Sequence, residues 1–372
     1  MAAGFSLKDQ LFNAEKVRYL AGLFAQADAG FDGSGFQRAV MARLPDLELK
    51  QRIRLIADVL GHHLPADLPD AAGILRAALP EPLDPGKTDD DFGDFIFAPL
   101  GEFVAAKGVE HHPDLSLDLI EDITQRFSME WAIRPFLNRW PDLVLDRMSD
   151  WAGHSNYHVR RLVSEGTRPR LPWGQGISLP PEAPLHLLDR LHGDPTRYVT
   201  RSVANHMNDI ARKDPGLAMD RLDIWARSER QTARELGWMT GHALRGLVKA
   251  GNPRAMTMLG YDPDAPVSCV LALKHSRVRV GETLDLSCTI SADRDTPVLV
   301  DYILWFQKAD GTQRPKVFKM KQGVVRGSRP LTLNKSHRMK GDATTFRLFR
   351  GLHRVEMQVN GRVRAQAEFT LR

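Results

Sequence analysis

An internal repeat restricts the fold of this chain more than any other feature of it. Asp146-Arg147-Met148, Asp189-Arg190-Leu191 and Asp220-Arg221-Leu222 recur at spacings of 43 and 31 residues. The first and third copies are each followed by a Trp-Ala pair, Trp151-Ala152 and Trp225-Ala226. Behind the first copy comes Tyr157-His158-Val159-Arg160-Arg161-Leu162-Val163, and behind the second Arg197-Tyr198-Val199-Thr200-Arg201-Ser202-Val203. A unit of about forty residues whose second half carries Val-x-Arg-x-Val reads as a helix pair of HEAT type. One such pair cannot bury its apolar face alone. Stacked pairs can, and the stack offers an extended concave surface to a partner.

Helical spacing also runs ahead of the repeat. Leu7, Leu11, Val17, Leu20, Leu23 and Phe24 form one apolar set, and Ile53, Leu55, Ile56, Val59 and Leu60 another. The Pro- and Asp-rich stretch from Pro80 to Asp94 breaks this pattern and predicts an exposed loop, after which helix resumes from Phe95 to about Met258. At Asp262-Pro263-Asp264-Ala265-Pro266 a linker intervenes and the period changes. Leu284-Asp285-Leu286-Ser287-Cys288-Thr289-Ile290 alternates, Val298 to Phe306 is an apolar run, and Val270, Ala272, Val278 and Val280 fit strands. Asn360-Gly361, between two apolar stretches, predicts a hairpin whose turn needs positive φ at both positions. Six or seven short strands around Trp305 suggest an immunoglobulin-type sandwich. The expected fold is mainly α, a HEAT-like helical-repeat solenoid over residues 1–264 followed by a small all-β immunoglobulin-like sandwich over residues 265–372.

Charge is divided unevenly between these parts. The net formal charge is only +5. Residues 265–372 hold 20 Lys/Arg against 9 Asp/Glu, whereas residues 1–264 hold 31 against 37. A domain at +11 suggests a polyanionic partner, although an ordinary solubilising surface accounts for the number equally well. No apolar run is long enough to span a membrane. Lys8 and Asp9 fall where a signal peptide would be apolar, so a cytoplasmic bacterial protein, associated with the nucleoid, is expected. Cys269 and Cys288, the only two cysteines, are too close in sequence for an immunoglobulin disulfide and read as reduced thiols. His62-His63 and Glu110-His111-His112 lack the spacing of a zinc site, and no phosphate loop or nucleophile elbow occurs. No metal and no cofactor is expected.

The second helices of the repeats carry the candidate chemistry. At about 100° per residue, Val159, Leu162, Val163 and Gly166 share one face, with Arg161 and Glu165 opposite. Val199, Val203 and Ile210 face inward in the next unit, and Arg201, Asn205, Asn208 and Asp209 outward. Arg126, Glu130 and Arg134 follow the same four-residue step earlier. Any single pair is most simply a solvated ion pair, but three in equivalent places predict a functional surface. The loop Ser164-Glu165-Gly166-Thr167-Arg168-Pro169-Arg170-Leu171-Pro172-Trp173-Gly174 adds two arginines and a tryptophan held between Pro and Gly. Trp173 reads equally well as a plug under a repeat junction and as a functional indole.

Four segments resemble the AlkC-type DNA alkylation repair proteins, relatives of the AlkD glycosylases. They are Phe5-Ser6-Leu7-Lys8-Asp9, Gln125-Arg126-Phe127-Ser128-Met129-Glu130-Trp131-Ala132-Ile133-Arg134-Pro135-Phe136, the run from Ser164 to Trp173, and Ser202-Val203-Ala204-Asn205-His206-Met207-Asn208-Asp209-Ile210. The resemblance covers most of residues 5–260, and the basic C-terminal part is similar to the immunoglobulin-like extension of some members. It implies a monofunctional DNA glycosylase that removes cationic N-alkylated bases such as 3-methyladenine and 3-methylcytosine from duplex DNA, without the usual base-flipping pocket.

That chemistry suits the residues. A cationic base leaves easily, and the oxocarbenium-like sugar left behind is stabilised by a carboxylate that can also orient water. An indole face adds cation–π attraction. Glu130, Glu165, Trp173 and Asp209 are therefore the expected catalytic groups. Arg134, Arg161, Arg168, Arg170 and Arg201, with Asn205 and Asn208, are expected on the DNA. Lys316, Lys319, Lys321, Arg326, Arg329, Lys335, Arg338 and Lys340 supply a second DNA-binding surface. A monomer acting on alkylated double-stranded DNA, away from membranes, is the expectation. The alternative is a noncatalytic HEAT-repeat scaffold binding DNA or a protein, with the carboxylates structural.

Overall fold

The computed structural model describes residues 6–87, 92–341 and 347–372. Phe5 of the N-terminal motif and residues 88–91 of the Pro80–Asp94 stretch lie outside the described residues. Helices fill the chain from Leu7 to Met258, and eight strands follow. The chain divides into two compact units, one formed by Met1–Ile210 with Ile224–Met239, the other by Ala211–Asp223 with Thr240–Arg372.

Local sequence sets where the helices begin. Asn13 accepts from the amides of Glu15 and Lys16, Asp32 from that of Gly35, and Asn156 from that of His158. Glu48 and Gln51 close a capping box at the start of the helix Leu49–His63. Prolines open Pro113–Thr124, Pro141–Trp151 and Pro215–Arg227, where a missing N–H costs nothing.

The sequence repeat is a structural repeat. The Asp-Arg motifs lie on the first helices Pro141–Trp151, Leu185–Leu191 and Pro215–Arg227, and the Val-x-Arg-x-Val motifs on the second helices Tyr157–Gly166 and Arg197–Lys213. Trp151 and Trp225 are buried in equivalent places. Trp151 Nε1 donates to Glu121 on the preceding first helix at 2.5 Å, and Trp225 Nε1 to Asp189 at 2.7 Å. Each indole thus buries its rings and satisfies its one donor on an acid of the neighbouring unit, which is why the residue recurs with the motif.

In the C-terminal region the strands are β1 (Val267–Leu273), β2 (Arg277–Val278), β3 (Thr283–Ala292), β4 (Thr296–Gln307), β5 (Gln313–Val325), β6 (Leu331–Arg338), β7 (Gly351–Val359) and β8 (Arg362–Leu371). They form a three-stranded sheet ordered β1-β3-β6 and a five-stranded sheet ordered β2-β8-β7-β4-β5. Leu284, Leu286, Cys288 and Ile290 of β3 point to one face as the two-residue period requires, and meet Val298, Val300, Tyr302 and Leu304 of β4 in the core. Asn360 (φ 48°) and Gly361 (φ 80°) make the expected β7–β8 turn. Trp305 differs from expectation. It lies outside the sandwich core with the Arg354 guanidinium 4.5 Å over its ring, because β4 alternates Leu304 inward and Trp305 outward.

Candidate active site

The expected row Arg126, Glu130, Arg134 does not exist as one helix face. Helix Pro113–Thr124 ends before Arg126, and the next begins at Ile133. The intervening turn sends the three side chains apart. Arg126 Nε donates to the Pro80 carbonyl at 2.6 Å and Nη1 to that of Asp122 at 2.9 Å.

Arg134, expected on phosphate, is instead 1 % exposed. Its guanidinium donates to the carbonyls of Gly166 (2.9 Å), Arg168 (3.0 Å) and Gln175 (2.5 Å). Burial, with Arg168 nearby, lowers its pKa to about 10. Arg134 is the clamp that shapes the loop carrying Trp173. Gly166 lets the loop leave its helix closely packed, since a Cβ there would stand 2.7 Å from Ile133 Cγ2. Lys50 Nζ holds the Trp173 carbonyl at 2.6 Å and Trp131 Nε1 that of Pro172 at 3.3 Å. Trp173 itself is left-handed (φ 62°), a conformation that costs a β-carbon residue of order 1 kcal/mol and persists where its surroundings enforce it. Its indole is 56 % exposed, so it plugs no repeat junction. The rings of Trp131 and Trp173 lie 6.1 Å apart at 48°.

Behind the tryptophans the carboxylates and arginines form one chain of ion pairs. Glu130 Oε2 accepts from Ser128 Oγ at 2.6 Å and from Arg161 Nη1 at 2.8 Å. Arg161 lies 4.4 Å over the Tyr198 ring and reaches Glu165 Oε2 at 3.7 Å. Glu165 Oε1 accepts from Arg168 Nη1 at 2.6 Å, and its Oε2 from Ser202 Oγ at 2.6 Å. Arg168 Nε then donates to Asp209 Oδ2 at 2.9 Å. Burial opposes charge on Arg161, yet Glu130 and Glu165 outweigh it and hold the guanidinium pKa above its ordinary value. Burial likewise opposes ionisation of Glu165, but Arg161 and Arg168 outweigh it and depress its pKa. Burial pushes the Tyr198 hydroxyl up to about 12. Arg161, Glu165 and Arg168 are therefore all charged at neutral pH.

Its members differ in access. Side-chain exposure falls from 19 % at Glu130 through 7 % at Glu165 to 4 % at Asp209. Glu130 lines a small cavity of about 100 Å³ with Phe92, Phe95, Phe127, Trp131 and Tyr198. Both of its hydrogen bonds enter one oxygen, and among the described residues Oε1 accepts none. Of the other expected DNA contacts, Arg170 is exposed, Arg201 and Asn205 are half-buried, and Arg168 and Asn208 are buried. Arg168 is consumed by two carboxylates. Asn208 is 1 % exposed and so presents no amide to solvent. Lys316, Lys319, Lys321, Arg326, Arg329, Lys335, Arg338 and Lys340 are all exposed, with Arg326 paired to Asp295. Sequence reasoning missed Ser128, Ser202 and Tyr198 as parts of the network and Phe92, Phe95 and Trp131 as its walls. Only Trp131, adjacent to Glu130, carried a local signal.

Residues 268–372 match a family model described as the C-terminal Ig-like domain of the uncharacterised protein YhaZ. Over 329 residues the chain is 33 % identical to the uncharacterized protein YhaZ of Bacillus subtilis, covering 87 % of this chain and 88 % of that protein. Its fold superposes on that of the alkylpurine DNA glycosylase AlkC of Pseudomonas fluorescens, solved bound to DNA containing an abasic site analog. The TM-score is 0.86 and the identity 31 %, with 99 % of this chain and 100 % of the other covered.

Proposed function

This chain belongs to the family of YhaZ and of the alkylpurine DNA glycosylase AlkC, and from that premise we propose that it is a DNA glycosylase releasing cationic N-alkylated bases such as 3-methyladenine and 3-methylcytosine. The observation that carries the proposal is Glu130, an accessible carboxylate with one oxygen unbonded among the described residues, set beside two indoles and an aromatic cavity. The cavity is far below the few hundred Å³ of a typical ligand pocket, which suits a lesion approached in place rather than swallowed.

In this reading the C1′–N bond breaks as the neutralised base leaves with the bonding electrons. Positive charge develops on the sugar, and the Glu130 carboxylate stabilises it electrostatically. Water held on Glu130 Oε1 adds to C1′, and the carboxylate accepts its proton. Trp173, with Trp131, places a π face against the cation. Glu165 and Asp209 act as positioning residues. They fix Arg161 and Arg168, and Arg161 in turn fixes Glu130. Arg170 and Arg201 contact flanking phosphates, and the exposed cations of the sandwich extend the contact. We assign catalysis to residues 1–264 and the basic Ig-like part to residues 265–372. Incubating the chain with methylated duplex DNA and measuring free base tests the proposal. Binding without release would mark the noncatalytic scaffold instead.

A further inference from the structure

The two sheets of the sandwich part at one end. On β5 the inward positions run from Phe318, opposite Tyr302, to Lys316 and Arg314, opposite Leu304 and Phe306. On β6 the same inward period runs from Leu331 and Leu333, against the core, to Lys335 and His337. Where the apolar faces separate, a cavity of about 630 Å³ opens. That volume lies within the range of about 300–1,000 Å³ typical of small-molecule sites.

Its floor is aromatic and its rim cationic. Phe318 lies flat on Tyr302, with centroids 5.1 Å apart at 15°, and Phe306 and Phe349 complete the floor. His337 closes the back, with Nδ1 2.9 Å from the Tyr302 hydroxyl, and burial lowers its pKa to about 4 so that it is neutral there. Arg314, Lys316, Arg338, Lys340 and Arg347 form the rim, and no carboxylate lines the cavity among the described residues.

β5 and β6 are both edge strands, and inward lysines by themselves would only guard such edges against pairing. Edge guarding requires no aromatic floor. A small inorganic anion requires no rings, and an intact duplex hides its base faces. A flat aromatic ring joined to a phosphate uses both features. We propose that this mouth binds one unpaired nucleotide of a single nucleic-acid strand, its base on Phe318 and its flanking phosphates on the rim. The site stands apart from the glycosylase reading and holds whether or not Glu130 supports base release.

The test uses the full chain and a four-residue DNA oligonucleotide bearing 5-iodouracil. Irradiation is expected to cross-link it to Phe306, Phe318, His337 or Phe349. Phe318→Ala should weaken binding of the same oligonucleotide about tenfold and Phe318→Trp should restore it. Should Phe318→Ala fail to fold, Phe349→Ala carries the same expectation at a half-buried position. Cross-links confined to other residues would overturn the proposal. So would aromatic variants that bind normally while Arg314→Glu binds weakly, since the rim would then act by charge alone.

Discussion

In the helical unit Arg52, Arg134 and Arg168 are almost wholly buried and each of these three guanidiniums is tied to carbonyls or carboxylates, whereas in the sandwich Lys316, Lys321, Arg338 and Lys340 stand in solvent. Arg52 gathers the carbonyls of Leu47, Lys8 and Phe12 much as Arg134 gathers those of Gly166, Arg168 and Gln175. A buried arginine is a geometric device, because its planar fork fixes several loop atoms at once and its removal strands them. An exposed lysine supplies field and little shape. The same residue class thus shapes the candidate site in one region and, in our proposal, attracts the ligand in the other, and net charge distinguishes neither role.

The contrast should break most visibly at Arg168. Arg168→Ala leaves Asp209 buried without its ion-pair partner and takes from Glu165 its shortest ion pair, and should cost about 3–5 kcal/mol. Arg170→Ala, two residues on and exposed, should leave thermal unfolding unchanged and lower only DNA affinity. Equal melting temperatures for the two variants would contradict the division.

A smaller effect follows from His206. Its ring is fully buried, Nδ1 donates to the Ser164 carbonyl at 3.0 Å, and burial lowers its pKa to about 3. A base whose folded pKa is depressed takes up its proton more readily when unfolded. Its neutral form therefore contributes full stability above about pH 6.5, and that contribution shrinks as pH falls toward 3. Glu165, also depressed, adds its loss only below the ordinary carboxylate range. Chemical denaturation at pH 7 and pH 5 should show the decline, and His206→Gln should flatten it. An unchanged slope in the variant would assign the decline elsewhere.

Trp173→Ala should slow base release while leaving the melting temperature almost unmoved, as its indole is exposed. A large stability loss would reinstate a packing role, for which about 3–5 kcal/mol is usual. The smallest effect belongs to the sandwich. Lys316→Ala with Lys340→Ala should not alter stability by more than about 0.5 kcal/mol. The pair should make the salt dependence of duplex binding shallower, by about 0.9 in log–log slope for each phosphate no longer neutralised. An unaltered slope would remove these two lysines from the interface.

Much of the fold was legible because its signals are local. Trp151 and Trp225 report the repeat, Asn360-Gly361 reports the hairpin, and alternation in Leu284–Ile290 reports a core strand. β5 and β6 escaped notice because Lys316, Lys319, Lys321, Lys335 and Arg338 interrupt the apolar alternation of strands that run to the open end of the sandwich. The site was half legible for a related reason. Helical-wheel arithmetic turns every arginine outward, yet Arg134 points in, and the pairs that matter span long separations, Glu130 with Arg161 and Arg168 with Asp209. Tyr198 and Ser202 enter the network only through such tertiary contacts.

The central claim is that Glu130 is the carboxylate facing the reacting sugar. Release of 3-methyladenine and 3-methylcytosine from duplex DNA, compared between the unaltered chain and Glu130→Gln, tests it most directly. The account predicts release by the unaltered chain and at least about a hundredfold loss in the variant, with folding and DNA binding retained. Undiminished release by Glu130→Gln, or none by the unaltered chain, would contradict it.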